Sequence, residues 1–184
     1  MNLRVFAVLA FALGAVSSAS AENYHLDEGI DIQLVTPPSW TVLEKKFRMP
    51  LVVLGPRLLG SNFRPTLDLS QIEGIPQDLL DPKLFPGFEK AFKKGKTDWI
   101  NGKGGKLIRF VPYRTEAWPH VPIVHTLEFQ YRWDEQDFLE RTFYFNCGAH
   151  SYHMKALIPM TPEKDAVEKV LQSVLDSFDC AKNH

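Results

Sequence analysis

Between Ile123 and Ile158 the chain holds three runs of alternating side chains joined by turns too short for anything but hairpins. In the longest run, Ile123, His125, Leu127, Phe129, Tyr131 and Trp133 fall on one face, and Val124, Thr126, Glu128, Gln130 and Arg132 on the other. Successive side chains of a strand point to opposite faces, so this spacing reads as a strand. Asp134-Glu135-Gln136 is a polar turn; Phe138 to Cys147 is the second run, Cys147 to His150 the next turn, and Ser151 to Ile158 the third run. Parallel neighbours need a crossover of about a dozen residues or more. Three strands linked this tightly form an antiparallel meander.

The rest of the chain supplies the partners of that meander. Gly29 to Val35 alternates and is stopped by Thr36-Pro37-Pro38-Ser39, because prolines cannot donate to a ladder. Trp40 to Glu44, Pro50 to Leu54 (a central strand), Thr66 to Ile72 and Lys106 to Val111 read as further strands, and 57–65 as a loop. Leu84, Phe85, Phe88 and Phe92 stand at helical spacing in Asp81 to Lys96, with the firm helix starting near Pro86. Gly95, Asn101-Gly102 and Gly104-Gly105 are turn signals. The proline-bearing stretch 112–122 reads as a loop or an irregular edge. Thr161-Pro162-Glu163 predicts a helix start, with Thr161 as cap and Pro162 at the first helical position. Ala166, Val167, Val170, Leu171, Val174, Leu175 and Phe178 then form one apolar stripe that needs a sheet to cover it. The expected class is α+β: an antiparallel sheet covered by helices, with the C-terminal helix packed on it.

Residues 1–21 read as a secretory signal. Arg4 precedes an apolar stretch from Val5 to Val16, and Ala19-Ser20-Ala21 fits a small-residue cleavage site before Glu22. Twelve apolar residues are too few to span a bilayer, where about 20 are needed. The expected mature chain, 22–184, is one soluble domain in the periplasm or secreted. Its net charge is close to zero, which excludes a general electrostatic grip on nucleic acid.

Three pieces together resemble the PsbP-like superfamily, which includes periplasmic DcrB-type proteins: Gly29-Ile30-Asp31-Ile32 with Pro37-Pro38-Ser39-Trp40, the hairpin Arg141 to Phe145 with Ser151 to Lys155, and the closing helix ending Val174 to Phe178. Ser39, where the family often has Gly, and the proline-rich 112–122 segment depart from the pattern. The resemblance implies an α/β/α sandwich and a binding or assembly role rather than catalysis. Fold analogy alone transfers no partner.

No nucleophile-elbow, zinc-protease, phosphate-loop or redox-cysteine motif occurs, so no catalytic residue, enzyme activity or cofactor is assigned. One charge feature stands out. From Lys83 to Arg114 nine Lys or Arg face two acids, a local charge of +7, while the other mature residues carry eleven against twenty. Lys90, Lys93, Lys94, Lys106, Arg109 and Arg114, flanked by Trp99, Trp118 and Tyr113, form a candidate surface for a protein partner in the cell envelope. A solvated helix face is the plainer reading. The alternative function is a small-ligand or metal carrier using His120 and His125, or His150 and His153. His150 and His153 are three apart along a strand, which turns them to opposite faces. Asp134, Glu135 and Asp137 read as a solvated hairpin tip.

Cys147 and Cys180 lie in the mature region, where an oxidising compartment favours pairing. Eight strand residues lead away from the Cys147 turn over about 26 Å, at ~3.3 Å each. A 16-residue helix returns over about 24 Å, at ~1.5 Å each. Packed back antiparallel, that helix brings Cys180 to the turn that holds Cys147.

Overall fold

The computed structural model describes residues 21–26, 30–46 and 49–181. Of the expected signal only Ala21 is among them; Gly29 and His184 are not. In chain order the elements are β1 (Ala21–Leu26), β2 (Ile30–Val35), β3 (Thr41–Lys46), β4 (Met49–Leu54) and β5 (Thr66–Ile72), then α1 (Gln77–Leu80) and α2 (Phe85–Gly102). They are followed by β6 (Lys106–Trp118), β7 (Val121–Trp133), β8 (Gln136–Cys147), β9 (His150–Pro159), α3 (Lys164–Asp176) and β10 (Asp179–Ala181). The large sheet has the order β3-β4-β5-β9-β8-β7-β6, with every neighbouring pair antiparallel. The meander of β7, β8 and β9 stands as the spacing requires.

Alternation along β8 shows how the layers are specified. Leu139, Phe143, Phe145 and Cys147 point into a core shared with Val167, Leu171, Val174 and Phe178 of the α3 region. Phe138 points the other way and packs with Phe129, Tyr131 and Ile100 of α2, with Phe92 half-buried against them. A strand covered on both faces needs apolar residues at odd and even positions, and β8 has them. The two helices thus lie on opposite faces of the large sheet, giving an α+β sandwich.

A second sheet, β1-β2-β10, was not expected from the sequence. It joins α3 on the same face: Tyr24, Ile32 and Leu34 enter the same core, and the Ser177 hydroxyl receives a hydrogen bond from the Val35 amide, 2.9 Å. β1 carries charge and little alternation, which hid it. The expected central strand, β4, is buried but lies second from the edge.

Three boundaries move. α2 runs through Gly95, Asn101 and Gly102 instead of turning there. Phe92, Lys96, Trp99 and Ile100 continue the inward stripe at helical spacing, and this outweighs a cost of about 1 kcal/mol for an exposed helical glycine. The turn comes at 103–105, where Gly104 has φ +75°. β6 extends through the proline-bearing stretch to Trp118 as an irregular edge, its register broken around Pro112; an edge strand tolerates a residue that cannot donate. α3 starts at Lys164, not Pro162. Thr161 makes no cap bond to a backbone amide; its hydroxyl donates to the Glu163 carboxylate, 2.8 Å.

The 103–105 turn is tight for a packing reason. A Cβ on Gly105 would lie 2.5 Å from the Arg132 carbonyl oxygen and 2.9 Å from Ile100 Cγ2. Backbone cannot yield as a flexible side chain does. Gly105→Ala is expected to cost about 1–3 kcal/mol, the range of overpacking, read as a lower urea midpoint. Gly95→Ala, with nothing within 4 Å of the new Cβ, serves as the stabilising control.

Candidate functional site

The basic segment folds into α2, the 103–105 turn and β6. These lie side by side at one margin of the large sheet, and β6 is its open edge. Phe85 meets Tyr113 at 4.4 Å between ring centroids, and Phe92 meets Phe110 at 6.4 Å, so α2 runs antiparallel to β6. The Tyr113 amide donates to the Glu89 carboxylate, tying the two elements together.

The structure sorts the predicted residues into three groups. Lys90, Lys93 and Lys94 are exposed on α2, where spacings of three and four share a face. Lys94 pairs with Asp98 at 2.6 Å, which raises its pKa through that hydrogen bond. Lys93 Nζ sits 5.8 Å from the Phe110 ring centre, on the side towards β6. Lys106, Arg109 and Arg114 form the second group. Their cross-strand partners are Arg132, Gln130 and Thr126, whereas Leu107 and Phe110, the residues facing α2, pair with Tyr131 and Phe129. Directly opposed residues share a face, so these three cations turn to the side away from α2. Arg114 is there within 3.7 Å of Glu116 and 3.8 Å of Glu128. The cations therefore occupy both sides of β6 rather than one continuous face.

The tryptophans form the third group, and the expectation for Trp118 needs correction. Trp118 is only 4% exposed and lies in the core against Phe143, Phe145 and Phe178; it cannot meet a partner. Trp99 is 49% exposed, but nine residues beyond Lys90 is about 180° around a helix at ~100° per residue. It leans on Tyr131, on the flank away from the lysines. Periodicity in the sequence held that second fact.

Lys96, counted in the basic segment, is withdrawn from the surface. Its ammonium lies 4.8 Å from the Phe129 ring centre and 2.8 Å from Glu140, whose side chain is 4% exposed. Arg141 is likewise neutralised by Glu128 at 2.7 Å and by Glu168. Arg132 is paired with Asp137 at 2.6 Å, and Lys155 with Asp68 at 3.1 Å. Among the described residues no carboxylate lies within pairing distance of Lys90, Lys93, Lys106 or Arg109. Lys83 and Lys103 of the segment are likewise without one, and the other four straddle β6. Ile108, 49% exposed, projects from the bulge between Leu107 and Arg109. Sequence reasoning passed over it because a bulge leaves no periodic trace.

The histidines do not converge. His120 is on an exposed turn, 3.8 Å from Asp179. His125 is buried and 2.6 Å from the Tyr113 hydroxyl through Nδ1; burial lowers its pKa. His150 pairs in register with Cys147 and lies 3.3 Å from Gln71. His153 pairs with Tyr144, facing the other way. Burial first, then Lys155 and Lys96, pushes the His153 pKa down to about 4. Among the described residues no three His, Cys, Asp or Glu side chains are placed to hold a metal.

Cys147 and Cys180 are joined, with Cα atoms 5.7 Å apart, a separation within disulfide reach. Cys180 reaches Cys147 from β10, whose register sets it opposite Ile32.

The whole arrangement can be set beside known structures. LpqN of Mycobacterium tuberculosis, described as involved in cell envelope biogenesis, superposes with a TM-score of 0.56 at 13% identity, over 89% of this chain and 91% of that one. Cyanobacterial PsbP from Synechocystis sp. PCC 6803 superposes with a TM-score of 0.55 at 17% identity, over 91% and 96%. The fold is PsbP-like. The Saccharomyces cerevisiae Ran-binding protein Mog1p shares it, with a TM-score of 0.52 at 14% identity over 88% and 95% of the two chains. No family model and no curated protein matches the sequence. At these identities the likeness establishes a PsbP-like fold and leaves the surface chemistry to this chain's own residues. Among the described residues no helix is long and apolar enough to cross a membrane.

Proposed function

We propose that this PsbP-like chain is an exported, non-enzymatic binding or assembly protein that docks an acidic protein partner in the cell envelope along its β6 edge. The observation that carries the reading is the distribution of uncompensated charge. Lys94, Lys96, Arg114, Arg132, Arg141, Lys155 and Lys164 are paired, whereas Lys90 and Lys93 on one side of β6 and Lys106 and Arg109 on the other have no carboxylate partner among the described residues. Complementary charge steers encounter and fixes register more than it adds affinity. The exposed Ile108 supplies an apolar contact between the two pairs. Two structures of the same fold carry descriptions consistent with such roles: one a Ran-binding protein, one involved in cell envelope biogenesis.

Charge reversal tests it. Lys90→Glu with Lys93→Glu is expected to leave the fold intact and to reduce capture of the envelope partner about tenfold at low salt. Arg109→Glu should do the same from the other side of the strand. The effect should shrink at physiological ionic strength, where exposed charges are screened within ~8 Å. Quantitative capture from envelope extract, with crosslinks mapped onto α2 and β6, measures it. Capture indifferent to salt and to both substitutions would make these cations a solubilising surface only.

A further inference from the structure

On the face opposite α2, a cleft of about 340 Å³ opens between the N-terminal half of α3, the 37–40 turn and the 55–59 loop. Trp40, Leu58, Val167 and Val170 make its walls, and Ser39, Arg57 and Glu163 lie around its mouth. The walls are fixed: Trp40 and Leu58 are each 8% exposed. A Cβ on Gly55 would meet the Trp40 ring and Pro65 at 3.0 Å, so a larger residue there would push on both. The Trp40 amide closes its own turn on the Pro37 carbonyl at 2.9 Å. The cleft is far from β6 and shares no residue with the docking edge.

We infer that this cleft binds a small apolar carboxylate, with the hydrocarbon against Trp40, Leu58, Val167 and Val170 and the carboxylate at Arg57. Size sets the first limit. A water-sized share of volume is about 30 Å³, so the space holds roughly eleven non-hydrogen atoms, at the lower end of ligand pockets. The sign of the charge follows from the two ionisable groups at the mouth. Glu163 is already engaged: the Thr161 hydroxyl donates to it at 2.8 Å, and its own backbone amide and that of Leu59 also hold it below the usual carboxylate range. Arg57 is exposed and has no carboxylate partner among the described residues. The unmet demand at the cleft is therefore for an anion. Guanidinium and carboxylate match in planar, two-pronged geometry.

Octanoate, with ten non-hydrogen atoms, is the probe, and octanol and octylamine are its neutral and cationic counterparts. Titration of the full chain by calorimetry and by amide chemical shifts should show saturable octanoate binding, with shifts at Trp40, Leu58 and Val167. Octanol should bind at least tenfold more weakly and octylamine more weakly still. Arg57→Gln, at an exposed position, should reduce octanoate affinity about tenfold. Glu163→Gln, which removes the opposing charge, should strengthen it severalfold. Ala166→Phe, also exposed and projecting over the cleft, should abolish binding with the fold retained. Three results overturn the inference: no saturable octanoate binding up to ten-millimolar concentration, octylamine binding the tighter, or octanoate affinity unmoved by both Arg57→Gln and Ala166→Phe. None of them bears on the β6 edge.

Discussion

Replacing Cys147 and Cys180 by serine is expected to lower stability by roughly 3–4 kcal/mol in the chain-entropy account of a crosslink. The two residues are 33 apart in sequence, and the bridge removes from the unfolded chain the freedom of the whole β9–α3 unit. Little else would hold β10: it is three residues long and pairs with β2 through Asp179, Cys180 and Ala181 alone. Cys147 is buried in the core on the α3 side, so the serine hydroxyl there also loses water without a designed partner. Urea unfolding of the oxidised chain, the reduced chain and the double serine variant measures the effect. The last two should both unfold well below the first, the serine variant the lower of the two, with faster amide exchange at Ile32 and Gln33. Equal midpoints for all three would show that the crosslink does not form in the native protein.

Trp118→Ala should cost about 3–5 kcal/mol, the range for removing a large aromatic from a core. Its ring meets Phe143 at 5.3 Å, Phe145 at 5.2 Å and Phe178 at 5.9 Å, each tilted or edge-on. It therefore fastens the tip of the β6–β7 hairpin to the end of α3. Trp99→Ala, at a half-exposed site, should stay much closer to wild type, because surface substitutions generally move stability little. Chemical denaturation of the pair separates core from surface directly. Were the two tryptophans to cost the same, the burial of Trp118 would be wrong, and with it the docking of the hairpin on α3.

The contrast between these residues marks where sequence reading succeeds. Alternation from Ile123 to Ile158 specifies a meander because period two survives any tertiary context, and β7, β8 and β9 follow it. The α3 stripe likewise demands a sheet beneath it. A local pattern does not say which of two covered faces an edge residue takes once a bulge intervenes. Leu107 and Arg109 straddle such a register shift, and that shift sets Arg109 on the same side of the sheet as Lys106. Trp118 looked available because it stands among prolines, yet a register shift between Glu116 and Trp118 precedes its place in the core. Lys96 and Glu140 are 44 residues apart, and only the approach of α2 to β8 pairs them. The Arg57 cleft is assembled from three distant segments and left no motif. The second sheet escaped for a related reason: β10 is too short to announce itself, and β1 has no clear apolar face.

That small sheet also bears on the order of events during synthesis. β2 is bordered by β1 on one side and by β10 on the other, with Ile32 opposite Cys180. Synthesis delivers β2 long before its second neighbour, β10. Nearly the whole intervening polypeptide must be looped out before the two can meet, and contacts of such wide sequence separation form late. A nascent chain can assemble the β7–β9 meander while this closure is still impossible. Until Asp179 is available, one side of β2 stays unpaired and the native sheet is incomplete.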